Sequence, residues 1–212
     1  MSTNTTSVWR KKLKELEIVV VIPTYNNGKT LAAVIEEVCR YADDIIVVND
    51  GSTDDTANIL EQYPAIHTIT HPVNKGKGTA LKHGLSQAKK EGFRYAITID
   101  SDGQHFASDI PCFIEAIEKE PDTLLVGARN LASDNMPGKN TFANKFSNFW
   151  FRLETGLKLE DTQSGYRLYP LRKMNVQSCW YTAKYEFELE AIVFAAWEDV
   201  AVKNIPIHVY YR

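Results

Sequence analysis

Two carboxylates separated by a single residue, Asp100 and Asp102, follow directly after the apolar run at residues 95–99. At this spacing both can turn towards one Mg²⁺ or Mn²⁺, and Gln104 can add an amide oxygen. A cation held in this way usually keeps several waters and bridges to phosphate oxygens. The motif alone is equally compatible with a turn whose acids cap a helix. Its position at the end of an apolar strand therefore favours the metal-binding interpretation.

Polar residues also follow three other apolar runs. Residues 18–22 lead into Pro23, Thr24, Tyr25, Asn26 and Asn27, residues 45–48 into Asn49, Asp50 and Gly51, and residues 124–126 into Gly127, Ala128 and Arg129. In an open parallel sheet, ligands bind outside the carboxyl ends of the strands. We therefore expect these loops to surround the site that contains the two aspartates.

The hydrophobic pattern predicts the elements that position these loops. Residues 18–22 are a continuous, mostly β-branched run, typical of a strand buried on both faces of a parallel sheet. Leu31, Val34, Ile35 and Val38 recur at helical spacing. Further strands are predicted at 45–48, 67–70, 95–99 and 124–126, and further helices from an N-cap at Ser52 or Thr53 towards Tyr63, at 77–91 and at 110–117. This alternation predicts an α/β fold, with a mostly parallel sheet and helices on both faces.

The alternation stops after Arg129. Residues 131–140 are predicted as a polar loop, long enough to be a lid candidate. An aromatic helix is predicted at 141–153, a second helix at 185–197 and a final strand at 200–211. The second helix should turn its apolar residues mostly inward, namely Phe187, Leu189, Ile192, Val193 and Ala196.

Length and charge limit the classes of protein. The 212 residues suit a single domain at 18–212, in two halves at 18–129 and 130–212, preceded by a polar, basic leader at 1–17. The net charge of −3 offers no basic field for nucleic acid. The sequence has no run of about 18 apolar residues to span a membrane, and residues 1–6 lack a signal core. Residues 8–17 are predicted to be frayed, with contact to a membrane surface as the alternative.

Several familiar sites are absent from the sequence. Cys39, Cys112 and Cys179 lie far apart without a CxxC pair, which favours free thiols in a reducing compartment. The five histidines form no HxxxH or HExxH, so a zinc site is not expected. The glycines at 76 and 78 are not followed by the third glycine of a dinucleotide fingerprint, and no GxxxxGK[ST] loop occurs.

Five ordered motifs resemble those of family 2 glycosyltransferases of the GT-A fold. They are PTYN at 23–26, VNDGSTD at 48–54, NKGKG at 74–78, DSDGQH at 100–105 and DTQSGYR at 161–167. The last is similar to the DxxSGFR segment of the dolichyl-phosphate mannosyltransferase-like branch, the polyprenyl-phosphate glycosyltransferases. The resemblance covers residues 18–212 and implies a nucleotide-binding half at 18–129 and an acceptor half at 130–212. Members often continue into membrane-associated segments.

The resemblance implies a role for each matching residue. Nucleotide binding would involve Pro23, Tyr25, Asn27, Asp50, Lys77 and Asp100, with Asp50 accepting a base N–H. The Mg²⁺ or Mn²⁺ would be ligated by Asp100, Asp102 and Gln104. Phosphates would be met by Arg129, Lys145 and Arg167, and Asp102 and Arg167 would be the catalytic residues.

Two departures from the family pattern concern specificity. The family often has Glu after PTYN, where this chain has Asn27, and it usually supplies an arginine near Lys145, so the charge remains but the guanidinium fork is lost. Aromatic residues at 146, 149, 150 and 151 are typical of a helix core, although so many rings together could also form an acceptor-binding face.

Structural alternatives remain for several of these residues. Asp50 and Asp54 could simply cap the helix after Ser52, Arg129 could form a surface ion pair, and Arg167 could be structural. His105 is expected to orient its neighbours by hydrogen bonding rather than to act as a base.

The predicted function is inverting transfer of a sugar from GDP-mannose or a UDP-hexose to an acceptor. The predicted acceptor is a polyprenyl phosphate at the cytoplasmic face of a membrane. A phosphate acceptor is already ionised, which agrees with the lack of an obvious base. The alternatives are transfer to a glycan hydroxyl, a nucleotidyltransferase, and a non-catalytic module that binds nucleotide sugars. The sequence leaves the sugar, the base and the oligomeric state open.

Overall fold

The computed structural model describes residues 3–129, 161–162, 164–175 and 186–210. Its helices are α1 (Thr3–Glu15), α2 (Leu31–Val38), α3 (Thr56–Glu61), α4 (Lys77–Lys90), α5 (Ile110–Lys119) and α6 (Glu186–Trp197), with a 3₁₀ turn at Ala107–Asp109. Its strands are β1 (Ile18–Thr24), β2 (Ile45–Asn49), β3 (His67–Thr70), β4 (Tyr95–Thr98), β5 (Leu124–Arg129), β6 (Arg167–Pro170) and β7 (Val202–Ile207).

These strands form one sheet in the order β3-β2-β1-β4-β6-β5-β7. Every neighbouring pair is parallel except those of β6, which runs antiparallel to both β4 and β5. The predicted α/β fold with a mostly parallel sheet is confirmed. Strand β6 was not predicted, because four residues that end in Pro170 carry little strand signal, and their extended conformation comes from pairing on both sides.

The continuous apolar run of β1 is buried on both faces of the sheet, as expected. Ile18, Val20 and Ile22 belong to the core that also contains the inward faces of α2 and α5. Val19 and Val21 belong to a second core, which contains residues of α4 and α6. Because successive side chains of a strand point to opposite faces, one uninterrupted apolar strand supports two helical layers.

Helix α4 packs unusually close to this sheet. A Cβ atom at Gly84 would lie 2.5 Å from Val21 Cγ1 and 3.1 Å from Val48 Cγ2, so only glycine permits this approach. The close packing sets the position of the whole helix, and with it the position of Lys77 at its first turn.

Three local predictions are wrong. The segment before β1 is not frayed, since α1 is a helix whose Leu13 is buried against the sheet. Helix α3 begins at Thr56 rather than near Ser52, because Ser52 Oγ accepts from Asn26 N while Asp54 Oδ1 accepts from Thr56 N. Leu189 was predicted to face inward, but it is exposed on α6.

Other predictions have mixed outcomes. Cys39 and Cys112 carry free thiols as expected. Cys179, the lid at 131–140 and the aromatic helix at 141–153 lie outside the described residues. Within the described part of the chain, the helices are all too short or too polar to cross a membrane.

Candidate functional site

The carboxyl ends of β1, β2 and β4 surround a cleft with a volume of about 610 Å³. It is lined by Pro23, Thr24, Tyr25, Asn27, Asp50, Asn74, Gly76, Lys77, Ala80, Asp100, Ser101 and Asp102. The predicted nucleotide-binding residues and both aspartates are therefore brought together, although their roles stay predictions. A larger cavity of about 760 Å³ beside the C-terminal half of α4 is lined by His83, Lys89, Lys90 and neutral residues. Since that lining includes no carboxylate for a cation, the smaller cleft is the candidate site.

Asn27 joins the first loop of the cleft to the loop that carries the aspartates. Its amide Nδ2 donates to Ser101 Oγ at 2.8 Å, and Ser101 Oγ donates to the carbonyl oxygen of Pro23 at 3.0 Å. Ser101 lies between Asp100 and Asp102, so these bonds fix the turn from which both carboxylates project. Asn27 thus has a structural role beside its predicted part in nucleotide binding.

Asp50 organises the wall of the cleft opposite the metal-binding motif. Its carboxylate is buried and accepts hydrogen bonds from the backbone N–H groups of Lys75 (2.9 Å) and Gly76 (2.7 Å). Its Oδ1 also lies 2.6 Å from His71 Nδ1. The alternative that Asp50 caps α3 is wrong, because its partners are the loop before α4 and the end of β3. Its predicted contact with a nucleobase remains a prediction.

Tyr25 is the exposed ring of the cleft, with 44% of its surface accessible. It follows β1 directly and lies beside the loop whose Asn26 bonds to Ser52 and Thr53. An exposed aromatic face in a polar cleft can stack on a planar base, which agrees with its predicted role.

Lys77 connects two carboxylates at the base of the cleft. Its Nζ lies 2.7 Å from Asp100 Oδ1 and 3.0 Å from Glu188 Oε1. Burial alone would lower the pKa of Lys77, but the two carboxylates raise it above its ordinary value. Burial likewise acts to raise the pKa of Asp100, but Lys77 and then His105 hold it below the ordinary value. Both groups of this pair are therefore charged near neutral pH.

His105 supports Asp100 from the far side. It is buried, its Nδ1 lies 3.9 Å from Asp100 Oδ2, and its ring packs against Tyr166 with centroids 5.3 Å apart. A separation of 3.9 Å is too long for a hydrogen bond, so His105 acts on Asp100 through its charge, and the expected orienting role by hydrogen bonding remains a prediction.

The oxygen donors of the cleft suit a divalent cation that is also bound by a phosphate. Asp100 and Asp102 both line the cleft, and Asp102 Oδ1 accepts from the backbone N–H of Gln104 at 2.9 Å, which orients that carboxylate. Among the residues that the structure describes, no group of three or more His, Cys, Asp or Glu side chains is arranged to hold a metal. Two hard oxygen ligands that leave positions for water and diphosphate suit Mg²⁺ or Mn²⁺. Gln104 is exposed outside the cleft lining, so its predicted ligation remains a prediction.

Arg167 does not present its guanidinium to the cleft. The side chain is fully buried, Nε donates to Ser164 O at 2.7 Å, Nη2 donates to Thr162 O at 2.8 Å, and Nη1 donates to Glu188 O. The structure therefore contradicts the predicted phosphate fork. The guanidinium joins Thr162 and Ser164 to Glu188 of helix α6, which is the structural role given above as the alternative.

Two further residues, Arg129 and Lys145, were predicted to bind phosphate. Arg129 ends β5, but its side chain lies outside the description, and Lys145 lies outside the described residues altogether.

Sequence reasoning missed two residues, His71 and Glu188. Glu188 left one signal that could have been used, since it is an acidic residue next to Phe187 on a helix face that is otherwise buried. A buried acid on an apolar face needs a partner, here Lys77.

Comparisons with known proteins identify the family of this chain. The profile of the family described as "Glycosyl transferase family 2" matches residues 19–178. UDP-N-acetylglucosamine--dolichyl-phosphate N-acetylglucosaminyltransferase of Methanococcus voltae is 31% identical, over 92% of this chain and 86% of that protein. Polyprenol monophosphomannose synthase of Mycolicibacterium smegmatis is 25% identical, over 89% of this chain and 75% of that protein.

Solved structures show the same fold. Glucosyl-3-phosphoglycerate synthase from Mycobacterium tuberculosis, in complex with Mn²⁺, uridine diphosphate and glucosyl-3-phosphoglycerate, is similar to this chain with a TM-score of 0.71. The similarity covers 100% of this chain and 76% of that chain, at 19% identity. The fold is accordingly of the GT-A type.

Proposed function

The chain belongs to glycosyl transferase family 2, and from this premise we propose that it transfers a sugar from a nucleotide-sugar donor to a polyprenyl or dolichyl phosphate, with Mg²⁺ or Mn²⁺ as cofactor. The observation that carries the proposal is the convergence of Asp100 and Asp102 on one cleft with Tyr25 and Lys77. A nucleoside diphosphate needs a surface for its base and a cation for its phosphates, and this cleft has groups of both kinds.

The residues of the cleft divide the work of donor binding. Tyr25 stacks on the base, and the loop held by Asp50 forms the wall beside it. Asp100 and Asp102 hold the cation, which, when bound, offsets the charge that grows on the leaving diphosphate. Lys77 adds a positive charge at the base of the same cleft, where a half-buried ammonium is less screened than at a surface.

A phosphate acceptor requires the least from this chain. Its oxygen is ionised near neutral pH and attacks the anomeric carbon with inversion, so the protein has to orient it but not to deprotonate it. One relative is named as a dolichyl-phosphate N-acetylglucosaminyltransferase and another as a polyprenol monophosphomannose synthase, and both names support the same acceptor class. A lipid acceptor would place the reaction at a membrane surface.

The proposal is tested with a matrix of donors and acceptors. UDP- and GDP-sugars are each incubated with Mg²⁺ or Mn²⁺ and with a short-chain prenyl phosphate, a soluble glycan or water, and both diphosphate release and labelled product are measured. We expect label in the prenyl phosphate with one donor, and none after chelation with EDTA. Transfer to the glycan alone would overturn the acceptor class, and the absence of transfer from every donor would overturn the function.

A further inference from the structure

A chain of contacts runs from the buried guanidinium of Arg167 to the carboxylate of Asp100. Arg167 Nη1 donates to the backbone carbonyl of Glu188, and the side chain of Glu188 reaches Lys77 Nζ at 3.0 Å. The same Nζ lies 2.7 Å from Asp100 Oδ1. The side chains of Lys77, Asp100 and Glu188 are only 21%, 19% and 7% exposed, so water screens these charges weakly.

The three charged groups meet at Gly165. A Cβ atom at this position would lie 2.6 Å from Asp100 Oδ2, 2.8 Å from Glu188 Oε1 and 2.8 Å from Lys77 Nζ. Any side chain here would push at least one group away. The loop that Arg167 holds in place is therefore shaped to let the three charges approach one another.

An ammonium and a divalent cation compete for Asp100. Both are attracted to the same carboxylate oxygens, and they repel each other at short range. An ammonium displaced from Asp100 at this largely buried position would lose much of its electrostatic support, because a charge shielded from water and without a partner is costly. A second carboxylate that keeps the ammonium removes this cost.

We propose that Glu188 is a positioning residue that retains the Lys77 ammonium, so that Asp100 can exchange Lys77 for a divalent cation. Glu188 does not line the cleft, and it acts through Lys77 rather than on the substrate. Arg167 contributes by fixing the backbone of Glu188, which explains why the SGYR segment lies beside the site without reaching into it. The inference rests on the proposed function, since it takes the cation to be a cofactor held by Asp100.

The test measures Mn²⁺ binding by electron paramagnetic resonance, with Mn²⁺ alone as titrant, for the wild type, Lys77→Met, Glu188→Gln and the double variant. Removal of the competing ammonium in Lys77→Met should tighten Mn²⁺ binding by about tenfold. Glu188→Gln should weaken it by about tenfold, because the ammonium then has only Asp100 as partner. In the Lys77→Met background the effect of Glu188→Gln should be much smaller, since no ammonium remains to be retained.

Glu190→Gln, two residues along the same helix, is the matched control and should leave Mn²⁺ binding unchanged. If Glu188→Gln weakens binding equally with and without Lys77, Glu188 acts only as a distant negative charge and the proposal is wrong. A thermal melt of each variant shows that it is folded.

A second measurement uses the wild-type chain and does not depend on any variant folding. The ¹⁵N-ammonium resonance of Lys77 is followed by NMR while Mg²⁺ is added. We expect the resonance to shift and yet remain protected from hydrogen exchange with water, because the ammonium leaves Asp100 but stays on Glu188. An unchanged resonance at saturating Mg²⁺ would overturn the proposal that Asp100 exchanges Lys77 for a divalent cation.

These outcomes are separable from failure of the proposed function. A chain that binds Mn²⁺ with the expected coupling but transfers no sugar would retain the positioning role and lose the activity. A chain that transfers sugar with Mn²⁺ but shows no coupling would retain the activity and lose the positioning role. If neither the wild type nor Lys77→Met binds Mn²⁺, the cofactor assignment of Asp100 is lost as well.

Discussion

The imidazole of His71 lies between the carboxylate of Asp50, on the wall of the cleft, and His83 of helix α4. His71 Nδ1 lies 2.6 Å from Asp50 Oδ1, and its other nitrogen, Nε2, lies 2.7 Å from Nδ1 of His83 on α4. Asp50 in turn accepts the backbone N–H groups of the loop that begins α4. The carboxylate that the resemblance assigns to the nucleobase is thus the centre of a hydrogen-bond network, and its predicted contact with the base would depend on the same orientation.

The first prediction concerns this contact. His71→Leu removes the donor to Asp50, so the loop before α4 should lose its orientation and nucleoside diphosphate binding should weaken by roughly 1.5–3 kcal/mol, the usual value of a hydrogen bond to a charged group. His71→Asn keeps an N–H near the position of Nδ1 and should retain most of the affinity. Calorimetry with UDP and GDP measures both variants. Equal losses in the two would show that the volume of the ring, rather than its donor, is what matters.

The second prediction concerns pH and His83. Burial, and then the neighbouring His71 and Lys75, lower the pKa of His83 below its ordinary value of about 6.5. The unfolded chain then binds a proton at a pH where the folded chain does not, so stability should fall as the pH drops below about 6.5. We expect His83→Gln to reduce this loss. Urea unfolding at about pH 7.5 and about pH 5.5 measures it, and an identical pH dependence in the variant would contradict the prediction.

The pKa of His208 is shifted in the opposite direction to that of His83, so its effect on stability has the opposite pH dependence. Its hydrogen bond to Asp109, together with the charge of that carboxylate, raises the pKa of His208 above the ordinary value. Its contribution to stability is therefore complete below about pH 6.5 and is lost as the pH rises through the raised pKa. His208→Gln should lower stability more at about pH 5.5 than at about pH 8. Since the side chain is 83% exposed, the difference should be small.

The third prediction concerns the proposed metal ligand Asp102. Asp102→Asn keeps the side-chain volume and an oxygen that can accept from Gln104 N, so the fold should survive. The neutral ligand should lower sugar transfer on the order of a hundredfold or more, by analogy with the loss of another key electrostatic stabiliser. Turnover is measured across a range of Mn²⁺ concentrations. Wild-type activity in Asp102→Asn with Mn²⁺ present would remove Asp102 from the mechanism.

The fourth prediction concerns Arg167. A lysine in its place cannot reach three carbonyl groups with one planar fork, so Arg167→Lys should lower the free energy of unfolding by roughly 3 kcal/mol. The matched control is Arg172→Lys, at an exposed ion pair with Glu17, which should change stability by less than about 1 kcal/mol. Urea unfolding measures both variants.

The kinetics of the same variant separate a structural role from phosphate binding. If Arg167 acts by holding Glu188 and the loop at 161–165, its replacement should reduce transfer to prenyl phosphate and hydrolysis of the donor in water to similar extents. A stable Arg167→Lys variant that loses only transfer to the lipid phosphate would restore the direct contact that the buried geometry argues against.

Local patterns were enough to predict most of the sheet and one side of the cleft. The β-branched run of β1, the helical spacing of α2, α4 and α5, and the acids after β4 are all signals within a few neighbouring residues. In a parallel sheet the carboxyl ends of the strands meet at one edge, so the proximity of Asp50 and Asp100 followed from topology.

Local patterns failed where a residue's role depends on a distant partner. The family resemblance of the segment at 161–167 implied an arginine that meets a phosphate, but β6 lies between β4 and β5 and the guanidinium points into the interior. The apolar face predicted for α6 contained Leu189, yet the residue that matters for the cleft is the acid beside it, Glu188.

The sequence by itself therefore determined the α/β class, the strand ends that carry the polar residues, and the pair Asp100 and Asp102, because burial and turn chemistry act between near neighbours. The tertiary structure alone decided that Arg167 is buried, that Asp50 is held by His71, and that Lys77 is shared between Asp100 and Glu188. The topology of the sheet determines which loops and helices come into contact, and with them which charged residues pair. Because these residues are far apart in the chain, no local sequence pattern predicts the pairing.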